Sequence, residues 1–166
     1  MSISGKTDPV VLRVKPADIA EALGQGLRDF QAMPLLGLMF GALYAIGGIK
    51  GDGSVSNALE VYDPATSLWS AYPSLPSARG ALTAGIIENK LHVAGGATWK
   101  PLKTYSNHDV FDLSSKTWSN GPPLPTARQG SASAVAAGRW WVIGGGSGAG
   151  VFGGFTASDA VEAYEP

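Results

Sequence analysis

The 166-residue chain contains two histidines, and they are its first candidates for chemistry. His108 stands beside Asp109 at the end of a loop over 97–107. An imidazole next to a carboxylate suits metal ligation or general-base catalysis. Nothing nearby in sequence supports either use: no second histidine and no cluster of acids lies close to it. His92 sits in the apolar run Leu91-His92-Val93-Ala94 and reads as a packed or strand-edge residue. Gly144–Gly150 contains G-x-G spacings of the kind that cradle a dinucleotide. That fingerprint requires a helix opening straight after the glycines inside a βαβ unit, and Val151–Thr156 has no helical periodicity. The glycine run therefore reads as an inter-strand loop. Trp99, in the 97–107 loop, is an aromatic suited to touch a partner or a sugar, so Trp99 and His108 are the candidate ligand contacts. No Ser/His/Asp triad, carboxylate pair, phosphate-binding loop or basic stripe is visible.

Composition narrows the choice further. Cysteine is absent, which excludes a disulfide scaffold, a zinc–thiolate site and a cysteine nucleophile. A net charge of −1 offers no electrostatic case for nucleic acid as a partner. With 45% hydrophobic residues and five each of Trp, Tyr and Phe, the chain has the material for a core. Glycine is the outlier, at 23 residues where a usual share would give about half as many. Eighteen of them, and all five tryptophans, lie from Gly47 onward.

The elements that carry these residues repeat. Gly47-Gly48 recurs as Gly95-Gly96 and as Gly144-Gly145, at steps of 48 and 49 residues. Trp69 recurs as Trp118, Pro76 as Pro125 and Arg79 as Arg128, each at a step of 49. Residues 61–79 and 110–128 share nine identities in nineteen places without a gap. A third copy begins at Val161, where Val161–Pro166 resembles Glu60–Pro64. Each period reads as short apolar runs separated by polar turns, which describes four antiparallel strands per repeat. In the second period the runs are 81–87, 91–94, 108–111 and 117–119 around the turn Glu88-Asn89-Lys90; in the third they are 131–136 and 140–143.

Gly47-Gly48, Tyr62-Asp63, Trp69, Pro76 and Arg79, and then Gly95-Gly96, Phe111-Asp112, Trp118, Pro125 and Arg128, resemble the kelch repeat. That family implies a β-propeller with one blade per repeat of roughly 50 residues. The resemblance covers about 43–166. It implies structural jobs for Gly47, Gly48, Asp63, Trp69, Arg79, Gly95, Gly96, Asp112, Trp118, Arg128, Gly144 and Gly145. The glycines end strands, the aspartates start turns, the tryptophans wedge between blades, and the arginines pair with backbone or acids between blades. The expected fold is mainly β, a partial kelch-type propeller of about two and a half blades. The first blade is expected at 43–47, 58–62 and 68–72, the complete second at 81–119, and the third at 131–164. Since propellers close with at least four blades, such a unit leaves open edges that invite self-association.

Residues 1–42 share nothing with this period and form a separate expected segment. Pro16, Asp18 and Glu21 suit a helix start, and Ile19, Leu23, Leu27 and Phe30 share one helical face. Residues 32–49 carry no charge, a length at the lower limit for a membrane span, although Pro34 and four glycines weigh against one. No secretory leader is visible. The stretch 14–44 resembles the opening of a bacterial integral-membrane family of unknown function, and the resemblance stops after Tyr44. A join of two sequences near Leu43–Gly48, or a truncated frame, accounts for the shift in composition.

The functional expectation is a non-catalytic kelch-repeat module. It contacts a protein or glycan through the inter-strand loops 49–57, 97–107 and 146–158, with no cofactor, metal or nucleic acid. The rivals are a fragment of a sugar-modifying, mutarotase-like enzyme and a protein anchored to a membrane through 32–49. No compartment follows from the residues.

Overall fold

The computed structural model describes residues 42–148 and 156–165. The helix expected before Pro34 lies outside them. The described residues are mainly β, without a helix. They form antiparallel sheets consistent with a partial kelch propeller.

The first sheet runs β1 (Leu43–Ile46), β2 (Leu59–Asp63) and β3 (Leu68–Tyr72), in that spatial order. Residues 43–46, the end of the uncharged 32–49 stretch, are thus a paired strand, with Ile46 opposite Leu59. Among the described residues no helix is long and apolar enough to cross a membrane. The second sheet begins with β4 (Thr83–Ile87) and β5 (Lys90–Ala94). A small hairpin of β6 (Ala97–Trp99) and β7 (Leu102–Thr104) follows, and β8 (His108–Asp112) and β9 (Thr117–Asn120) complete the sheet in the order β4-β5-β8-β9. The third sheet joins β10 (Ala132–Ala136) and β11 (Arg139–Ile143) to β14 (Val161–Tyr164). The pair β12 (Gly146–Ser147) and β13 (Thr156–Ala157) stands between them in sequence.

Local chemistry sets the turns. Glu88-Asn89 joins β4 to β5 and Ala137-Gly138 joins β10 to β11, and all four residues have positive φ. That is the two-residue turn whose twist matches the flanking strands. The four-residue turns open on aspartates: Asp63 Oδ1 accepts the Ala65 N–H at 2.8 Å, and Asp112 Oδ1 accepts those of Ser114 and Ser115 at 2.8 and 2.9 Å.

The registers put all these tight turns at one end of the strands. The long connections 47–58 and 95–107 and the described parts of the third, 144–148 and 156–160, together with the linkers between sheets, lie at the other end. Two of the connections contain strand pairs that the pattern of apolar runs did not predict, β6–β7 and β12–β13. Both are short, two or three residues per strand, and each is anchored by a bridge to the preceding linker, Gly80 to Ala97 and Gln129 to Gly146.

The second sheet is sandwiched and holds the core. On one side Leu59, Leu75, Leu91, Val93 and Phe111 are buried together, with Tyr44, Ile46 and Trp118 against them. On the other, β10 and β11 pack on β4, and Ser133 Oγ donates to the Ala84 carbonyl at 2.7 Å across the sheets.

Candidate functional site

Two of the repeat residues, Arg79 and Arg128, spend their side chains on joining the linkers to the next sheet. Arg79, fully buried in the linker after the first sheet, reaches into the second. Its Nε donates to the Gly95 carbonyl at 2.7 Å and its guanidinium pairs with Asp109 at 2.5 Å. One repeat later Arg128 donates from Nη1 to the Ala160 carbonyl at 3.0 Å and pairs with Glu162, while its buried Nε has no partner among the described residues. Buried charge is tolerated here because each arginine meets both a carboxylate and backbone oxygens. The Arg carbonyls dock on the glycine pairs: Gly48 N–H donates to Arg79 O at 3.1 Å and Gly96 N–H to Arg128 O at 2.9 Å. Gly47 has φ +61°, and a Cβ there would lie 2.5 Å from the Arg79 carbonyl oxygen. Gly95 and Gly144 share that left-handed φ, at +64° each. Gly145 is also in positive φ, at +85°.

The two motif tryptophans stand in different surroundings. Trp118 lies on Phe111 with ring centres 4.9 Å apart, and its indole N–H donates to the Pro73 carbonyl at 2.8 Å, which joins the second sheet to the first. Trp69 belongs to the first sheet, which no other sheet precedes among the described residues. It is 56% exposed and leans on Tyr62. Trp99, in β6, is half-buried over Gly80 and shows only part of its surface.

The sequence reading kept the two histidines apart, and the fold brings them together. Because Ala94 pairs with His108 where Ile46 pairs with Leu59, His108 occupies in the second sheet the place of Leu59 in the first. By the same registers His92 takes the place of Tyr44. The seam between second and third sheets is thus a polar version of the seam before it. Leu75, Leu91, Val93 and Phe111 are replaced by Leu124, Trp140, Val142 and Tyr164, and His92 and His108, neighbours on β5 and β8 of the second sheet, line the seam from one side. The signal was present in the sequence: the steps from Tyr44 to His92 and from Leu59 to His108 equal those between glycine pairs.

Their geometry fixes their protonation. His108 Nδ1 is 3.0 Å from the Pro122 carbonyl, an acceptor only, and so must carry a proton. His108 Nε2 then accepts from His92 Nδ1–H at 2.9 Å, which leaves His92 Nε2 as a buried lone pair with no partner among the described residues. Both rings are held neutral. Burial pushes His92 down to about 4, helped by the His108 imidazole and by Lys90. Burial also lowers His108, against the opposing pull of the Pro122 carbonyl and Asp109.

Beside the pair opens a cavity of about 350 Å³, lined among others by His108, Pro122, Leu124, Trp140, Glu162 and Tyr164. Its acids are engaged: Glu162 holds Arg128, and Glu165 at the rim holds Arg139. Among the described residues no three His, Cys, Asp or Glu side chains are grouped to hold a metal ion.

Comparison with known proteins fits this arrangement. Residues 41–76 match the Kelch motif family. A stretch of 56 residues, 34% of the chain, is 39% identical to Kelch-like protein 33 of Homo sapiens. It spans 10% of that relative's length. The kelch match covers β1 to β3 and the linker to Pro76, and the registers above carry the same pattern into the second and third sheets. Together these findings support a kelch-repeat family for the chain.

Proposed function

We propose that residues 43–166 form a non-catalytic kelch-repeat module that binds another protein through the connections 49–57, 97–107 and 146–158. The observation that carries this reading is the sorting of connections by end. Every turn at one end of the strands is two to four residues long and fixed by positive φ or an aspartate, whereas the connections at the other end are long and differ between repeats. Variable loops on a rigid scaffold are where binding concentrates. The similarity to a Kelch-like protein supports the same class of function. Trp99 supplies the aromatic contact in the longest described connection, and a glycan remains the alternative ligand for such a ring.

The enzyme alternative draws on the cavity, which gathers His108 from the second sheet with Glu162, Tyr164 and Glu165 from the third. The non-catalytic reading is preferred because both acids already hold arginines and both nitrogens of His108 are hydrogen-bonded. A membrane-anchored protein, and a chain joined from two sequences near 43–48, stay as readings of residues 1–49.

A photo-crosslinking side chain placed at Trp99, and in parallel at Gly138 in a tight turn, tests the proposal in cells. Protein adducts from position 99 and none from 138 are expected. Equal labelling from both positions, or adducts from neither together with binding on a glycan array, would overturn it.

A further inference from the structure

We propose that Asn120–Gly121 is a self-modifying site. Asn120 deamidates to aspartate and isoaspartate when the end of β9 opens, and the product unseats His108.

Packing imposes the glycine. A Cβ at position 121 would lie 2.4 Å from His108 Nδ1 and 2.6 Å from its Cε1, so the imidazole rests on bare backbone. The residue before it is an asparagine, which makes this the sole Asn–Gly step in the chain. Asn57, Asn89 and Asn107 precede Ala58, Lys90 and His108. Deamidation is fastest at an Asn–Gly step, because no side chain shields the following nitrogen and the backbone there turns freely. Asn120 is exposed at the end of its strand. Asn89, by contrast, is held by a bond from Nδ2 to Ser114 Oγ at 2.7 Å.

The reaction needs only water. The Gly121 amide nitrogen loses its proton and bonds to Asn120 Cγ, and the side-chain nitrogen takes up a proton and leaves as ammonia. Water then opens the succinimide. Opening at the side-chain carbonyl gives aspartate in an ordinary peptide chain. Opening at the main-chain carbonyl gives isoaspartate, whose backbone is one methylene longer.

The fold slows this step without preventing it. Gly121 N–H donates to the His108 carbonyl at 2.9 Å, which ties the attacking nitrogen into the ladder. Yet β9 is the outer strand of the order β4-β5-β8-β9, bonded on one side only among the described residues. Asn120 with Asp109 is the last pair of that ladder. Such ends open at a small fraction of the global stability.

The product alters what supports His108. Gly121 lies against its ring, and the Pro122 carbonyl accepts from its Nδ1 at 3.0 Å. A methylene added just before Gly121 shifts both supports, and with them the bond from His92. The new carboxylate also stands across from Asp109, the partner of Arg79, and like charges directly opposite weaken a strand pair.

The test incubates the full chain in mildly alkaline buffer, folded and in denaturing urea. Mass spectrometry that separates isoaspartate from aspartate then maps the asparagines. Asn120 should convert before Asn57, Asn89 and Asn107 in both samples, at least about tenfold more slowly in the folded one. Equal rates in the two samples, or another asparagine converting first, would overturn the site. So would an intact Asn120 in the folded chain once the urea sample is fully converted. The converted folded fraction carries an added charge and separates by ion exchange. Its amides at Arg139–Ile143 and Val161–Tyr164 should exchange faster than those of the unconverted fraction, and unchanged exchange would overturn the loss of the His108 seat. Asn120→Ser, which cannot form the succinimide, should pass through the same incubation unchanged. The same rise in exchange in that variant would overturn the assignment to Asn120.

Discussion

At the scale of single residues, the seam between second and third sheets is distinguished by two imidazoles where the preceding seam has a tyrosine and a leucine. Neither histidine was legible as part of a pair, because they lie sixteen residues apart on different strands, and only the β5–β8 register closes that gap. The arginines were legible as links between repeats. Their carboxylate partners Asp109 and Glu162 were not, since which acid faces the linker depends on strand register. The histidine pair makes stability depend on pH. In an unfolded chain both imidazoles titrate near 6.5. In the folded chain both are lowered, His92 to about 4. Between those values the unfolded state binds more protons, so stability is full above pH 6.5 and falls as the pH drops toward 4. The slope is bounded by ~1.4 kcal/mol per pH unit for each proton taken up. Urea unfolding at pH 5.0 and 6.5 should show this loss in the natural chain. The double variant His92→Tyr/His108→Leu, which copies Tyr44 and Leu59, should flatten it. Equal slopes in the two proteins would show that other groups dominate.

At the scale of elements, the strands were legible because short apolar runs between polar turns, and glycine pairs, mark them, and β2, β5, β8 and β11 fall within a residue or two of their expected places. The small pairs β6–β7 and β12–β13 were not, because what holds them is backbone pairing to the linkers at Gly80 and Gln129 and not a pattern of side chains. What an element contributes also depends on whether a sheet stands before it among the described residues. Trp69 and Trp118 hold the same place in β3 and β9, yet one is mostly exposed and the other ties two sheets. Replacing Trp118 with Ala removes the packing on Phe111 and the bond to Pro73, and should cost about 2–4 kcal/mol, below the 3–5 of a fully enclosed tryptophan. Trp69→Ala should cost under about 1 kcal/mol, as for an exposed contact. Denaturant titration of the two variants side by side checks this, and matching losses would mean that both rings are buried alike in solution.

At the scale of the whole molecule, three sheets meet at two seams of unequal quality. The first is closed by five buried apolar residues, with Trp118 capping it. The second contains two neutral imidazoles, the unpaired His92 Nε2, the buried Trp140 Nε1 with no acceptor among the described residues, and a cavity where the first has an indole. Unsatisfied buried polar atoms and unfilled volume both weaken packing. The third sheet should therefore open before the second under native conditions, as a local unfolding unit. Polar links also cross this seam, among them the Ser133 bond to Ala84, the Gly130 N–H bond to the Ala81 carbonyl and the Arg128–Glu162 pair, but they fill neither the cavity nor the unpaired nitrogens. Native-state hydrogen exchange should find the amides of β10, β11 and β14 exchanging faster than those of β5 and β8, with the gap widening from pH 7 to pH 5 as the imidazoles charge. Comparison across pH must correct for the intrinsic exchange rate, which the double variant provides within one sample pair. In His92→Tyr/His108→Leu the widening should vanish while the gap at pH 7 narrows. Uniform exchange across all three sheets at both pH values would mean that they unfold as one unit and that the seams do not differ in strength.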